Sequence, residues 1–170
     1  MKKIKKNKRL VAISLLCFFA VAGFYAQNSK ALTAPDIELH TLDNQRFNLK
    51  QLRGKVVLIN FWATNCASCL KEIPHLKTWH QDYHAQGLDI IAVNMFYDRP
   101  NHVVQAAKNF ALPYKIVLDL KQHIAKAFGD VQFTPTTFLI DTQGNIVFHH
   151  TGLLNADKMN TLIKQHLPTP

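Results

Sequence analysis

Residues 61–69 read FWATNCASC, two cysteines separated by two residues and preceded by a strongly apolar run. A Cys-x-x-Cys pair is either half of a zinc site or a dithiol that opens and closes. Structural zinc takes a full tetrahedral set of Cys or His ligands, usually as paired knuckles. The only other cysteine is Cys17, inside an apolar N-terminal stretch, so no second pair exists. The surroundings favour the dithiol. Lys55 to Trp62 reads KVVLINFW, nearly unbroken and rich in β-branched residues, as a strand buried on both faces should be. Downstream, Leu70, Ile73, Leu76, Trp79 and Tyr83 recur at helical spacing with Lys71, Lys77 and Gln81 between them. Cys66 therefore falls at a strand-to-helix turn, where unpaired backbone N–H groups and the positive end of the helix favour thiolate over thiol. The spacing predicts Cys66 as the nucleophile and Cys69, one turn in and turned to the core, as the resolving thiol.

At 170 residues the chain suits one domain plus an extension. The net charge of +9 is uneven: seven of the 20 basic residues lie in the first thirty positions, where there are no acids. The remainder carries 13 basic against 11 acidic residues, so the basicity is no nucleic-acid footprint on the domain. Residues 1–9 form a basic head, and Leu10 to Ala26, LVAISLLCFFAVAGFYA, is an apolar segment with only Ser14 clearly polar. Its seventeen residues sit at the lower limit for a membrane span and exceed a usual signal core. We read it as a retained anchor with the lysines cytoplasmic and the domain outside. Cleavage after Ala20-Val21-Ala22 or Ser29-Lys30-Ala31, giving a secreted protein, is the alternative. A lipoprotein role for Cys17 is disfavoured by Leu16, which stands where a small residue is wanted. Either way the dithiol is exported, and outside the cytosol it stays reduced only if an upstream reductant supplies electrons.

Residues 27–34 read as a linker and 35–168 as the domain. Pro35 to Leu49 alternates loosely about Asp43-Asn44, predicting a β-hairpin of Ile37 and Leu39 against Phe47 and Leu49. Then follow a strand over 55–62, a helix from about 67 to 86 stopped near Gly87, a buried strand over 88–96 and a helix over 103–110. A short strand over 114–118 and a helix over 122–128 come next. Strands over 136–140 and 146–150 flank the turn cluster DTQGN and pair antiparallel. Met159, Leu162, Ile163 and Leu167 close the chain as a helix. This order predicts an α/β fold, a central mixed sheet flanked by helices, with the hairpin and the hydrophobic segment as N-terminal extensions.

The element order, the Cys-x-x-Cys after the first central strand and a proline just before the strand TTFLI resemble the thioredoxins. The likeness is closer to the membrane-tethered TlpA/ResA/CcmG (DsbE) group of thiol-disulfide oxidoreductases. It rests on LINFWATNCASCLKEIP at 58–74, LPYKIVLD at 112–119 and TPTTFLIDTQGNIVFHHTG at 134–152. The resemblance implies a thioredoxin-like fold over most of 35–168 and a monomer that reduces disulfides of envelope proteins, such as the CxxCH motif of apocytochrome c. It also implies a transmembrane thiol reductase as electron donor and no cofactor or metal.

The same resemblance assigns roles. Pro135 is the cis proline facing the dithiol, where no N–H is present to donate to the thiolate. Thr134 before it offers its backbone to the bound substrate chain, and Trp62 and Asn65 complete the docking surface. Pro74 matches the proline that kinks the active-site helix. Thioredoxins carry a buried Asp six residues before the first Cys. Here that residue is Asn60, which cannot accept a proton. Glu72 matches a carboxylate of the TlpA/ResA group and would take the proton from Cys69; the alternative is a solvated helix-face charge. Asn65, in place of the usual aromatic, and Ser68, in place of the common proline, depart from the pattern and bear on redox poise.

Two other chemistries fit parts of the chain. Nine histidines, with His80 and His84 on one helix face and His149 and His150 adjacent on a strand, admit a copper-delivering thioredoxin-like protein. That reading would more typically want a CxxxC spacing and a dedicated histidine. A peroxiredoxin-type peroxidase wants a Pro and Thr lead-in to one peroxidatic cysteine, and Thr64 alone does not supply it.

Overall fold

The computed structural model describes residues 32–168. The basic head and the apolar segment 10–26 lie outside the described residues, and among the described residues no helix is long and apolar enough to cross a membrane.

A hairpin opens the domain: β1 (Glu38–His40) pairs antiparallel with β2 (Arg46–Asn48), placing Leu39 opposite Phe47. The turn spans Thr41 to Gln45, with Asn44 at positive φ. Leu49, expected in the second strand, instead begins a single 3-10 turn to Leu52. Asn48 accepts from Lys50 N–H there, and Gln51 accepts from Asn48 N–H. Ahead of the hairpin, Ile146 N–H donates to Leu32 C=O, Ala34 N–H donates to Gly144 C=O, and Thr33 bridges Asn145, so residues 144–146 pair with this segment through free backbone groups.

Then come β3 (Val56–Trp62), α1 (Ala67–Tyr83), β4 (Leu88–Asn94), α2 (Pro100–Asn109), β5 (Lys115–Leu118) and α3 (His123–Ala127). The chain finishes with β6 (Thr136–Ile140), β7 (Ile146–Thr151) and α4 (Ala156–His166). The main sheet has the order β5-β4-β3-β6-β7, with β3, β4 and β5 parallel and β6 and β7 antiparallel. All seven residues of β3 are buried, and its side chains alternate between two cores. Val56, Leu58 and Trp62 join Leu76, Trp79, Val103, Met159 and Ile163 beneath α1, α2 and α4. Val57, Ile59 and Phe61 face Ile124, Phe128, Phe138 and the hairpin residue Leu39 on the other side. A strand covered on both faces has no polar alternation to show, which explains the unbroken run in the sequence.

Helix α1 passes through a 3-10 turn at His84–Gln86 and stops at Gly87, whose φ of 102° is open to glycine. The ends of β3 and β4 are held together by Met95 N–H donating to Trp62 C=O at 3.0 Å. The Cys-x-x-Cys turn thus leaves the sheet at the C-terminal ends of its parallel strands, where open α/β sheets present their sites.

Candidate active site

Cys66 is the N-cap residue of α1, in extended conformation (φ −94°, ψ 103°), and its Sγ accepts the Cys69 N–H at 3.1 Å. The Ser68 hydroxyl lies 3.4 Å from the same sulfur. One orphan donor of the helix terminus is therefore already aimed at the atom that would carry negative charge. Cys66 and Cys69 are disulfide-bonded with Cα atoms 5.2 Å apart. The two sulfurs differ in access: Cys66 is half-buried, whereas Cys69 is 2% exposed among Trp62, Asn60, Ile73 and Tyr114.

Glu72, a turn beyond Cys69, points inward and is 1% exposed, so it is no solvated helix-face charge. Its Oε1 accepts Leu154 N–H at 2.8 Å and its Oε2 accepts the Asn60 amide at 3.1 Å. Asn60 gives its other N–H to Thr137 Oγ1 at 2.9 Å. The amide that cannot take a proton thus orients the carboxylate that can. Burial pushes the Glu72 carboxyl above its ordinary range, opposed by the Leu154 N–H, the Asn60 amide and the neighbouring His150 and His75. Tyr114, buried and near Glu72, has its phenol pushed far up, by burial first and by that carboxylate second.

The Thr134–Pro135 peptide bond is cis, and Pro135 C=O accepts Gly152 N–H at 2.8 Å. Thr134 is half-buried, with its Oγ1 3.3 Å from the Tyr97 hydroxyl, and Asn65 is exposed. Trp62 is corrected from its expected place on the docking surface. It is 3% exposed and belongs to the core under α1, because residue 62 still follows the alternation of β3 and points at that helix. Its Nε1 is buried and has no hydrogen-bond partner among the described residues. Pro74 lies inside α1 and is exposed.

The histidine pairs separate. His80 and His84 stack with ring centroids 4.6 Å apart, and burial, then His84, holds His80 below its usual pKa. His149 stacks on Phe138 at 4.3 Å instead of meeting another ligand. Among the described residues no group of three or more His, Cys, Asp or Glu side chains is arranged to hold a metal ion.

Three residues near the site escaped the sequence reading. Tyr97 and Phe133 are 47% and 73% exposed beside Thr134, an aromatic rim unmarked by any motif. Asp98 accepts hydrogen bonds from Thr64, two residues before Cys66. Its signal was present: Asp98-Arg99-Pro100 is a helix-start pattern, and Pro100 opens α2.

Comparison with known proteins gives the family. A family model described as Redoxin matches residues 28–163. The chain belongs to the Redoxin family. Among Redoxin relatives, it is 35% identical over 175 residues to the thiol-disulfide oxidoreductase ResA of Geobacillus thermodenitrificans, covering 96% of this chain and 97% of that one. A candidate thioredoxin from Neisseria meningitidis superposes with a TM-score of 0.75 at 31% identity, covering 81% and 91% of the two chains. A candidate thiol:disulfide interchange protein DsbE from Chlorobium tepidum gives 0.73 at 28% identity, covering 82% and 99%. This Redoxin falls in the TlpA/ResA/CcmG group, has the thioredoxin-like fold, and is a thiol-disulfide oxidoreductase.

Proposed function

We propose that the chain is a reductase of protein disulfides of the cytochrome c maturation type, held by residues 10–26 on the extracytoplasmic side of a membrane. The unequal access of the two cysteines carries the reading: the reachable sulfur sits on the helix terminus, and the buried one lies a turn from a buried carboxylate. In the dithiol state the Cys66 thiolate attacks a substrate disulfide, forming a mixed disulfide and releasing one substrate thiolate. Cys69 passes its proton to Glu72 and attacks the Cys66 sulfur, releasing the second substrate thiolate and closing the Cys66–Cys69 disulfide. Two electrons leave the protein, and a transmembrane thiol reductase returns them. Thr134 and Pro135, with exposed Asn65, form the edge against which the substrate backbone lies, and apocytochrome c is the favoured substrate. The domain works as a monomer and needs no cofactor.

Cys69→Ser removes the resolving thiol and should trap the substrate on Cys66 as an adduct that runs as a reducible higher-mass band, whereas Cys66→Ser should trap nothing. Failure of both variants to retain any adduct, together with tight copper binding by the reduced protein, would turn the reading to copper delivery. Direction is read from the reduction potential against glutathione, a strongly reducing value being expected.

A further inference from the structure

Four donors converge on one carboxylate beside the redox turn. Asp98 Oδ2 accepts Thr64 N–H at 2.5 Å and the Asn94 amide at 2.9 Å. Oδ1 accepts the Thr64 hydroxyl at 2.8 Å and Arg99 N–H at 2.9 Å. Thr64 is the second residue of the tight turn in which Cys66 N–H donates back to Ala63 C=O at 3.2 Å. Both the backbone and the side chain of Thr64 are thus tied to the loop after β4, across 34 positions of sequence. Burial opposes a charge on Asp98, yet the donors on it hold its carboxyl below the ordinary range, so it is ionised and a full acceptor at neutral pH.

We infer that Asp98 is a positioning residue for the nucleophile, holding the Ala63–Cys66 turn in place through Thr64 when the Cys66–Cys69 bond is open. In the disulfide state the bond itself keeps Cys66 at the helix terminus. In the dithiol state that tether is gone, and the Cys69 N–H can stabilise a Cys66 thiolate only if the turn stays where it is. Asp98 therefore supports the dithiol state more than the disulfide state. The inference rests on Cys66 being the attacking sulfur.

The sign of the effect separates positioning from bare charge. A negative charge acting only through space disfavours thiolate, so its removal would speed thiol chemistry and favour the dithiol. Loss of positioning does the opposite. In full-length protein, Asp98→Asn places an N–H against donors it must accept. We expect it to move the dithiol–disulfide equilibrium with glutathione about tenfold toward the disulfide, ~30 mV more reducing. Iodoacetamide alkylation of Cys66 at pH 7 should slow by a similar factor. Thr64→Val, which keeps the carboxylate and the backbone N–H, should shift both readouts in the same direction by about threefold, and carries the test alone if Asp98→Asn does not fold. Faster alkylation, a shift toward the dithiol, or unchanged values with only a lowered Tm would overturn the proposal. Mass analysis of the alkylated peptides checks the assumption separately: first reaction at Cys69 in the unaltered chain would overturn the nucleophile assignment and this inference with it.

Discussion

Glu72 shows how a single side chain couples folding to chemistry. Its carboxyl is buried, accepts from Leu154 and Asn60, and has its pKa raised above the ordinary 4.5, chiefly by burial. A raised folded-state value means the group's contribution to stability is full below the unfolded pKa and is lost as pH rises through the folded pKa. Glu72→Gln removes that titration, so its Tm should decline less than that of the unaltered chain as pH rises above 4.5. The same substitution removes the proposed proton acceptor for Cys69, so dithiol oxidation should slow and its pH dependence flatten. An unchanged pH–rate profile would retire the acceptor role while leaving the stability argument standing. The inward direction of Glu72 was not legible in the sequence, since Lys71 beside it is exposed and helical spacing alone does not locate the sheet. Asn60 was legible as a missing acid but not as the amide that orients Glu72, because that contact depends on the strand and helix being packed.

Helix α1 (Ala67–Tyr83) works at its two faces in separable ways. Its first turn delivers the Cys69 N–H and the Ser68 hydroxyl to Cys66 Sγ. Ser68→Ala deletes the longer of these contacts, so Cys66 should be alkylated about threefold more slowly at pH 7, without change in Tm, as its thiol pKa rises. Leu76, 2% exposed on the packed face, should show the converse. Leu76→Ala is expected to cost about 2–5 kcal/mol in urea unfolding and leave the alkylation rate of the folded protein unchanged. Elements of this kind were legible because periodicity reports burial: β3, β6 and α1 lie within a few residues of where the pattern puts them. What periodicity could not give is direction at the element ends. Trp62 looked like part of a docking surface next to the cysteines, yet it obeys the alternation of its strand and is buried. The tie between Asp98 and Thr64 was not legible either, because the two are remote in sequence.

Across the molecule, the redox turn and the Lys55–Asp89–Lys115 ion-pair cluster occupy opposite ends of the parallel strands. Cys66 follows the C-terminal end of β3 (Val56–Trp62), where Trp62 pairs with Asn94. Asp89 lies near the start of β4 (Leu88–Asn94), opposite Val57, with Lys115 Nζ at 2.7 Å and Lys55 Nζ at 3.1 Å. Burial opposes the charge on Asp89, but hydrogen bonds from Lys115 and Lys55 outweigh it and hold the carboxyl below 3.8. A depressed value contributes stability that is present above the unfolded pKa and lost as pH falls through the folded one. Asp89→Asn should therefore cost about 2 kcal/mol at pH 7, the scale of hydrogen bonds to a charged group, and the difference from the unaltered chain should shrink below pH ~3.8. Urea midpoints at pH 7 and pH 3 measure both. The substitution should leave the reduction potential unmoved. At ~3.3 Å per residue the strand separates Asp89 from Asn94 by roughly 17 Å, where a unit charge in a water-like dielectric is worth only about 0.2 kcal/mol. A potential that shifted with Asp89→Asn would mean that the two ends communicate through the sheet itself, because the charge alone does not reach.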